Sequence, residues 1–410
     1  MLGSPSAPAL HAQLAPADVL VDERRALYRL AVDLFAPGTE LSDNLLDHPI
    51  TRYEIGRALS GHGDLDPGQL REVSAMGVRD LGLLVASDPA AADQLEAPLR
   101  IVAPDGAKPE PLTEADGARF EAAAGIVADG VALLRKLAPA MASDLLAHVS
   151  MLAVLRSETS GGVVSASSRY VPGIVLIDEP TTPMEVAEAL VHEGAHEKFF
   201  DFAITREFLD VHAEDAEYFE NSWSHARWPL EQTFAAWHAY SCLAQFAVVA
   251  EGERLGPHSL LPKARERATE IGEWLLAHEF VLLPHARWLL HAFSGDAAVP
   301  GPEDSAVDGV RTVPEGSCFE VRSGVAHRVA GTGRVVAGRL AGRPEIYWLD
   351  ADPGWLMRQF RGSALSFEMM LSRATEEWQV GSAVARDRVG SALGSLVRES
   401  IVEYVQMGNR

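Results

Sequence analysis

The feature that most constrains the fold is one continuous stretch, residues 173–200. It opens with the β-branched run 173–178, which is typical of a short buried strand. Thr182-Pro183-Met184-Glu185 then has the pattern of a capping box, with Thr182 as N-cap and Glu185 able to bond back to it. Apolar residues at helical spacing follow as far as Phe200. The stretch therefore predicts a strand followed by a helix that starts at Pro183.

Within this predicted helix lies an H-E-x-x-H motif, formed by His192, Glu193 and His196. Residues four apart on a helix lie one above the other, so the two imidazoles can face a single cation with Glu193 beside it. Such a short motif also arises by chance, as two surface histidines on an ordinary helix. Its position one to two turns inside a well-started helix favours a metal site.

Composition narrows the class of protein. The chain has 410 residues, 47% of them hydrophobic, and a net charge of −23 without any run rich in Lys or Arg. We therefore expect a soluble globular protein of more than one domain and no nucleic-acid partner. The cysteines, Cys242 and Cys318, exclude a disulfide framework and indicate a cytoplasmic location. We expect no signal peptide and no membrane span, because the most apolar window, 234–250, is interrupted by His238 and Gln245.

The predicted fold class is α+β. Residues 1–18 are expected to form a loose arm, and residues 19–300 a mostly α-helical, metal-binding catalytic domain with a small hairpin or sheet from the runs 163–168 and 173–178. Apolar residues at helical spacing also predict helices over 67–84, 143–157, 230–251 and 383–406. The run 318–325 is predicted to form a strand. Residues 305–410, with three predicted strands followed by three helices, have the size of a winged-helix-like α+β domain.

A metal site on this motif needs a third ligand. His238 is the first candidate, although a lone histidine on a mostly apolar helix face is more often a core residue. The competing candidates are His212, His225, Glu214 and Glu217. The two glutamates lie about where a thermolysin-like protease supplies its third ligand, so the choice stays open.

The middle third of the chain resembles a known family. Ser165-Ala166-Ser167-Ser168, then Pro172-Gly173, then 187–196, with a later Arg227 and His238 ahead of an aromatic helix, resemble the H-E-x-x-H proteins that modify ribosomally synthesised peptides. These look like iron(II) and 2-oxoglutarate dependent peptide hydroxylases that consume dioxygen. The order of the segments is more specific than any one of them.

The resemblance implies roles for individual residues. His192, His196 and His238 would hold Fe(II), and Arg227 would bind the distal carboxylate of 2-oxoglutarate as a bidentate partner. The alternative for Arg227 is a surface ion pair or stacking on Trp228. The usual iron triad contains two histidines and a carboxylate, so three histidines depart from it. Glu193 would be the general base of a hydrolase, whereas in an oxygenase it would orient a ligand or water.

The C-terminal residues 345–350, 355–363 and 396–402 resemble a PqqD-like domain, which binds the leader of a precursor peptide. Such a domain adds the leader as a strand to its sheet edge, against the last helix. A structural or dimerisation domain is the alternative. The net negative charge of the chain disfavours a DNA-binding winged helix. The sequence indicates no oligomeric state.

Three functions follow as expectations. The leading one is an Fe(II)/2-oxoglutarate dependent oxygenase that hydroxylates a side-chain carbon of a precursor peptide bound through its leader. The second is a zinc metallopeptidase with Glu193 as general base on a metal-bound water. The third is a non-catalytic peptide-binding protein with a structural metal.

Overall fold

A computed structural model of the protein describes residues 15–405, apart from 69, 71–76, 103–107, 163, 207, 210–217, 295–316, 342 and 361. The fold class is α+β, as predicted. The chain divides into two compact units. The first comprises Met1–Arg24, Ser42–Gly56 and Asp66–Pro302, and the second comprises Arg25–Leu41, Arg57–Leu65 and Glu303–Arg410. Most of the predicted arm and the predicted boundary at residues 300–305 lie outside the described residues.

A mixed sheet of five strands organises the first unit. Its strands are β1 (Val78–Asp80), β2 (Leu84–Ala86), β3 (Met151–Leu155), β4 (Ser165–Ala166) and β5 (Ile174–Asp178), in the order β1-β2-β3-β5-β4. Strands β3 and β5 are parallel, with Met151 opposite Ile174 and Leu155 opposite Asp178. Strand β4 is antiparallel to β5 and forms one edge of the sheet. The predicted pairing of these two segments is therefore confirmed.

Helices make up most of the chain outside this sheet as far as Ser294. In chain order they are α1 (Ala17–Phe35), α2 (Asp43–Asp47), α3 (Pro49–Leu59), α4 (Pro89–Val102), α5 (Ala118–Leu137), α6 (Pro139–Leu146), α7 (Pro183–Thr205), α8 (Leu230–Val249), α9 (Leu261–Ala277) and α10 (Pro284–Ser294). A short hairpin, β6 (Tyr218–Glu220) and β7 (Arg227–Pro229), precedes α8. Helices α1 and α3 each contribute residues to both units.

Helix α7 carries the H-E-x-x-H motif and begins as predicted. The Glu185 backbone N–H donates to Thr182 Oγ1 at 3.3 Å, and the Thr182 N–H donates to Glu185 Oε2 at 3.2 Å. Most residues of this helix are buried, and charged side chains such as Glu197 and Asp201 are among them, so the helix lies inside the core. Neighbouring helices approach closely at glycines: a Cβ at Gly130 would lie 2.5 Å from Val186 Cβ, and one at Gly194 would lie 3.1 Å from Leu145 Cβ. The fixed start and the tight packing hold the motif in place.

Two of the predicted helices are wrong, because parts of both segments form strands of this sheet. The predicted helix 143–157 is split, because α6 ends at Leu146 and the fully buried strand β3 follows. A parallel strand buried on both faces is a continuous apolar run, which periodicity does not distinguish from a buried helix. The predicted helix 67–84 is replaced at its end by β1 and β2, whose antiparallel pairing supplies one edge of the sheet.

The second unit contains two sheets of three strands. Its strands are β8 (Cys318–Val321), β9 (Val325–Val329), β10 (Val335–Ala341), β11 (Arg343–Leu349), β12 (Leu365–Ser366) and β13 (Val402–Val405), and its helices are α11 (Ala351–Gln359), α12 (Phe367–Trp378) and α13 (Ser382–Arg398). The sheet orders are β11-β10-β9 and β12-β8-β13. Val335, Leu356, Met370, Val389 and Leu393 are buried in its core.

Two boundaries in this unit differ from prediction. The single strand expected over 318–325 is two strands, which a turn at Gly324 (φ 84°) separates. The helix expected over 383–406 ends at Arg398, and Ser400 takes a left-handed conformation (φ 56°). This turn lets the next apolar residues pair with β8 as strand β13. Among the described helices, none is long and apolar enough to cross a membrane.

Candidate metal centre

His192 and His196 face each other from successive turns of α7. Their Nε2 atoms are 3.3 Å apart. Two nitrogens that each lie about 2.1 Å from one cation are about 3.0–3.4 Å apart, depending on the coordination angle. Burial, with a smaller contribution from His192, lowers the pKa of His196 well below its usual value. The His196 imidazole is therefore neutral at neutral pH and keeps a lone pair for a metal.

Glu193 completes the cluster. One ligand atom from each of His192, Glu193 and His196 lies within 4.8 Å of the other two, and this is the one such group of three among the described residues. Its carboxylate is held on both oxygens: Ser165 Oγ donates to Oε1 and Ser167 Oγ to Oε2, each at 2.6 Å. The two serines are two positions apart along an extended segment, so their side chains point the same way. Ser165 in the edge strand β4 and Ser167 just after it thus fix the motif glutamate.

The structure does not bring His238 to this cluster. It is 1% exposed, its Nδ1 lies 2.9 Å from the Ala195 carbonyl oxygen, and its Nε2 lies 4.0 Å from Cys242 Sγ. Burial raises the pKa of the Cys242 thiol to about 12, so this sulfur is not a thiolate ligand. The geometry is that of a satisfied core histidine, and it gives no support to the expectation that His238 is the third metal ligand.

The competing third ligands divide into two groups. His212, Glu214 and Glu217 lie outside the described residues. The His225 side chain is 79% exposed, with Nδ1 3.8 Å from Glu220 Oε1, and it belongs to no metal-binding group. Within the described part of the chain, Glu193 is therefore the residue that groups with the two motif histidines as a possible metal ligand.

Arg227 lies at the surface of the β6–β7 hairpin. Its guanidinium carbon is 5.1 Å from the centre of the Tyr218 ring, which is itself 47% exposed. Successive strand residues point to opposite faces. Trp228 packs inward, 5.7 Å from Trp223 between ring centres, so Arg227 points outward. Arg227 does stack on an aromatic ring, but that ring is Tyr218 and not Trp228, and no described contact joins it to the motif histidines.

Two further residues beside the cluster escaped the sequence-based reasoning. The Tyr240 ring packs edge-on against His192, with 5.7 Å between centres. Arg267 Nη1 donates to Tyr240 Oη at 2.8 Å. Tyr240 lies about 200° round the helix from His238, since each residue turns a helix by about 100°. The face of α8 that contacts His192 is therefore the one with Tyr240. It is nearly opposite the face with His238, which was predicted to contribute a metal ligand.

A different face of α7 carries a buried ion network. Asp201 is fully buried and accepts hydrogen bonds from Arg24, from Arg52 Nη2 at 2.6 Å and from His148 Nδ1 at 2.7 Å. Burial alone raises the pKa of Asp201, but the charges of Arg24 and Arg52 outweigh it and hold this pKa far below its usual value. Burial lowers the pKa of His148, so its imidazole is neutral.

The cluster has the chemistry of a divalent-cation site. Two imidazoles and one carboxylate are the donors found in mononuclear non-haem iron sites and also in many zinc sites. His192 Nδ1 is buried with no hydrogen-bond partner in the described part of the chain, so no polar contact opposes the tautomer that leaves Nε2 free for a metal. Comparison with known proteins adds no family: no protein-family model matches the sequence, and no curated protein is significantly similar to it.

Proposed function

We propose that the protein is an Fe(II)/2-oxoglutarate dependent oxygenase that hydroxylates a side-chain carbon of a ribosomally made precursor peptide. The observation that carries this proposal is the cluster of His192, Glu193 and His196 at an edge strand, with both oxygens of Glu193 already engaged. Its donors have the two-histidine, one-carboxylate composition of non-haem iron oxygenases. The resemblance to peptide-modifying H-E-x-x-H proteins points to the same class of reaction.

Strand β4 supports a peptide substrate. In the described part of the chain it pairs with β5 on one side only, which leaves its outer edge for another strand. An extended peptide added to such an edge gains backbone hydrogen bonds and places alternate side chains on the same face. Ser165 belongs to this strand and bonds Glu193, so a peptide bound there would run past the metal site.

The serine contacts disfavour hydrolysis. A general base must be free to take a proton from a metal-bound water, within hydrogen-bond reach of it. Both Glu193 oxygens accept hydrogen bonds from the hydroxyls of Ser165 and Ser167, which fixes the orientation of the carboxylate and occupies a lone pair on each oxygen. Glu193 is therefore held as a donor beside the two histidines and not as a mobile general base.

The residues fit the metal and its co-substrate. Fe(II) held there would supply oxidative chemistry, in which dioxygen would deliver one oxygen atom to a carbon–hydrogen bond and the other to succinate as 2-oxoglutarate loses carbon dioxide. The chain's own contribution is to hold the cation with His192 and His196 and to fix the adjacent carboxylate. The buried aromatic ring of Tyr240 covers one side of His192 and keeps bulk water from it.

The second unit is proposed to bind the leader of the precursor. Its β9-β10-β11 sheet precedes three helices, and both outer strands pair on one side only within the described residues. Tyr347 on β11 interacts with Glu399 at the end of α13, so the last helix lies beside that strand. We also propose a cytoplasmic location, because Cys242 and Cys318 are both buried and unpaired with each other.

A zinc metallopeptidase is the second candidate. It is favoured by the H-E-x-x-H helix itself, since a carboxylate within 4.8 Å of two imidazole nitrogens can also hold a hydrolytic water. On this alternative, Glu193→Gln would abolish hydrolysis, while Ser165→Ala would free the base and leave hydrolysis intact or faster.

Reconstitution decides between the two. The full chain is loaded without dioxygen with Fe(II) or with Zn(II), and bound metal is measured by elemental analysis. We expect the iron form to consume dioxygen and to convert 2-oxoglutarate to succinate, and His192→Ala to lose both activities. Hydrolysis of casein by the zinc form, with no dioxygen uptake by the iron form, would sink the proposal.

A further inference from the structure

The guanidinium of Arg267 is linked to the metal site through Tyr240 and is held in position by aromatic rings. Its carbon atom is 4.8 Å from the centre of the Trp223 ring and 5.3 Å from that of Tyr240. Its Nη1 donates to Tyr240 Oη at 2.8 Å. Tyr240 in turn packs against His192. The charge is thus fixed in position by stacking and one hydrogen bond, without an anion.

This cation has no acidic partner among the described residues, in a chain with 58 acidic and 35 basic residues. The two acids nearest to it on its own helix are engaged elsewhere. Glu270 accepts hydrogen bonds from the Ser222 N–H at 2.9 Å and from Ser222 Oγ at 2.7 Å, and Glu266 pairs with Lys263 at 2.9 Å. A half-buried guanidinium held beside aromatic rings without a carboxylate is suited to binding an anionic ligand.

Tyr240 adds a second donor to the same position. Its hydroxyl oxygen accepts the Arg267 proton, so its own proton is available to a ligand. A carboxylate placed there would receive one hydrogen bond from a guanidinium and one from a phenol. This pair of donors recognises a carboxylate better than a neutral carbonyl group, because the guanidinium is charged.

The distance to the metal site suits a small dicarboxylate. The Tyr240 ring centre lies 5.7 Å from that of His192, and the Arg267 carbon lies 5.3 Å from the Tyr240 ring centre, so the guanidinium is no farther from His192 than these two steps together. A five-carbon chain spans about 5 Å between its end carbons, because each bond is about 1.5 Å long. The metal itself would lie about 2 Å from the imidazole nitrogen.

We infer that Arg267, with Tyr240, binds the distal carboxylate of a five-carbon 2-oxo dicarboxylate whose other end lies at the metal. The inference rests on the proposed function and makes it specific, since it transfers to Arg267 the role that the resemblance gave to Arg227. Arg227 lies on the outward face of its hairpin, stacked on the half-exposed Tyr218. Arg267 is the guanidinium that an unbroken chain of contacts joins to His192.

The test is a binding titration that needs no turnover. The full chain is loaded with Fe(II) without dioxygen and titrated calorimetrically with 2-oxoglutarate and with 2-oxopentanoate, which has the same length but lacks the distal carboxylate. In the wild-type protein we expect 2-oxoglutarate to bind at least 30-fold more tightly. Arg267→Gln should weaken 2-oxoglutarate about 30-fold and leave 2-oxopentanoate within twofold, since a charged hydrogen bond changes affinity by about 10- to 150-fold.

The control variant is Arg227→Gln, which should bind both acids as the wild type does. Tyr240→Phe should weaken only 2-oxoglutarate, by about fivefold, and all three variants should retain one metal per chain. An Arg267→Gln protein that binds 2-oxoglutarate as tightly as the wild type would overturn the inference while the oxygenase proposal stands. The inference would also be overturned if Arg267→Gln lost only the binding of peptide, because the carboxylate that Arg267 binds would then belong to the peptide. If neither 2-oxo acid binds the iron-loaded wild type, the proposed function fails as well.

Discussion

Helix α7 carries ionisable side chains on two faces, which differ in whether other protein groups pair with these side chains. On one face Asp201 is surrounded by Arg24, Arg52 and His148, and the network is compensated from within the protein. On the other face the ring nitrogens of His192 and His196 approach to 3.3 Å with no protein group between them. The Asp201 network is fully buried, whereas the two imidazoles are half-buried. The difference separates a network that stabilises the fold from one that is arranged for a ligand.

The contrast has a physical basis. A buried charge is expensive unless it is paired and hydrogen-bonded, so the Asp201 face must be complete before the protein is stable. Neutral imidazoles cost much less to bury, and their lone pairs gain a partner only when a cation arrives. In proteins, polar groups lack hydrogen-bond or charge partners mostly at functional sites. Each prediction below alters one face and asks whether the other responds.

The largest effect is expected from His192→Ala. Removal of one of two imidazole ligands should reduce bound Fe(II) or Zn(II) from about one per chain to below a tenth, because the remaining donors no longer chelate. Thermal unfolding followed by circular dichroism should change little without added metal. Metal content is measured by elemental analysis after dialysis.

The matched control is His238→Gln, which removes the histidine that the structure places away from the cluster. It should keep its metal while losing stability, because its imidazole is buried and contacts the Ala195 carbonyl. A loss of metal from His238→Gln that equals the loss from His192→Ala would show that His238 belongs to the metal site.

Asp201→Asn should produce the largest loss of stability. It leaves Arg24 and Arg52 buried without their shared counter-charge, and breaking such a group by removing one partner costs about 3–5 kcal/mol. The measurement is urea denaturation at pH 7. The metal affinity of the protein that remains folded should be that of the wild type.

The pH dependence of this contribution has a definite sign. The folded pKa of Asp201 lies below its unfolded value, which is about 3.9. The stabilisation from Asp201 is therefore fully present above that pH and is lost only as the pH falls towards the folded pKa. The wild type should thus stay more stable than Asp201→Asn down to pH 4, and the gap should narrow below it. A gap that closes between pH 7 and 5 would contradict this assignment.

The double variant Ser165→Ala, Ser167→Ala tests how the edge strand acts on the metal face. Both oxygens of Glu193 lose their hydroxyl donors. Removing groups that orient the residues around a metal typically costs 10- to 100-fold in metal affinity or activity. We expect a loss in this range in iron-dependent formation of succinate. Ser168→Ala is the control, because Ser168 Oγ accepts from the Tyr170 N–H and not from this site. An unchanged rate would leave Glu193 without a positioning role.

The sequence predicted one of these faces far better than the other. The capping box, the helix from Pro183 and the approach of His192 to His196 all follow from local pattern, because they depend on residues within a few turns. The Asp201 network does not, since Arg24 is 177 positions away in the chain. Nor does the orientation of α8: His238 and Tyr240 are both buried on an apolar helix, and only packing decides which of them faces the metal. Strand β3 was missed for the same reason, since burial on both faces removes its alternation.

The smallest effect is expected from Thr182→Ala, which alters the start of the helix that both faces share. The N-cap bond from the Glu185 N–H to Thr182 Oγ1 is lost, and such a loss costs about 1 kcal/mol. Since the motif begins about two and a half turns further on and is held by its own packing, metal affinity should stay within twofold while the urea midpoint falls. Thr182→Ser keeps the capping hydroxyl and should restore the midpoint. A parallel fall in metal affinity and stability in Thr182→Ala would mean that the metal site depends on the helix start and not on the strand edge and the packing around it.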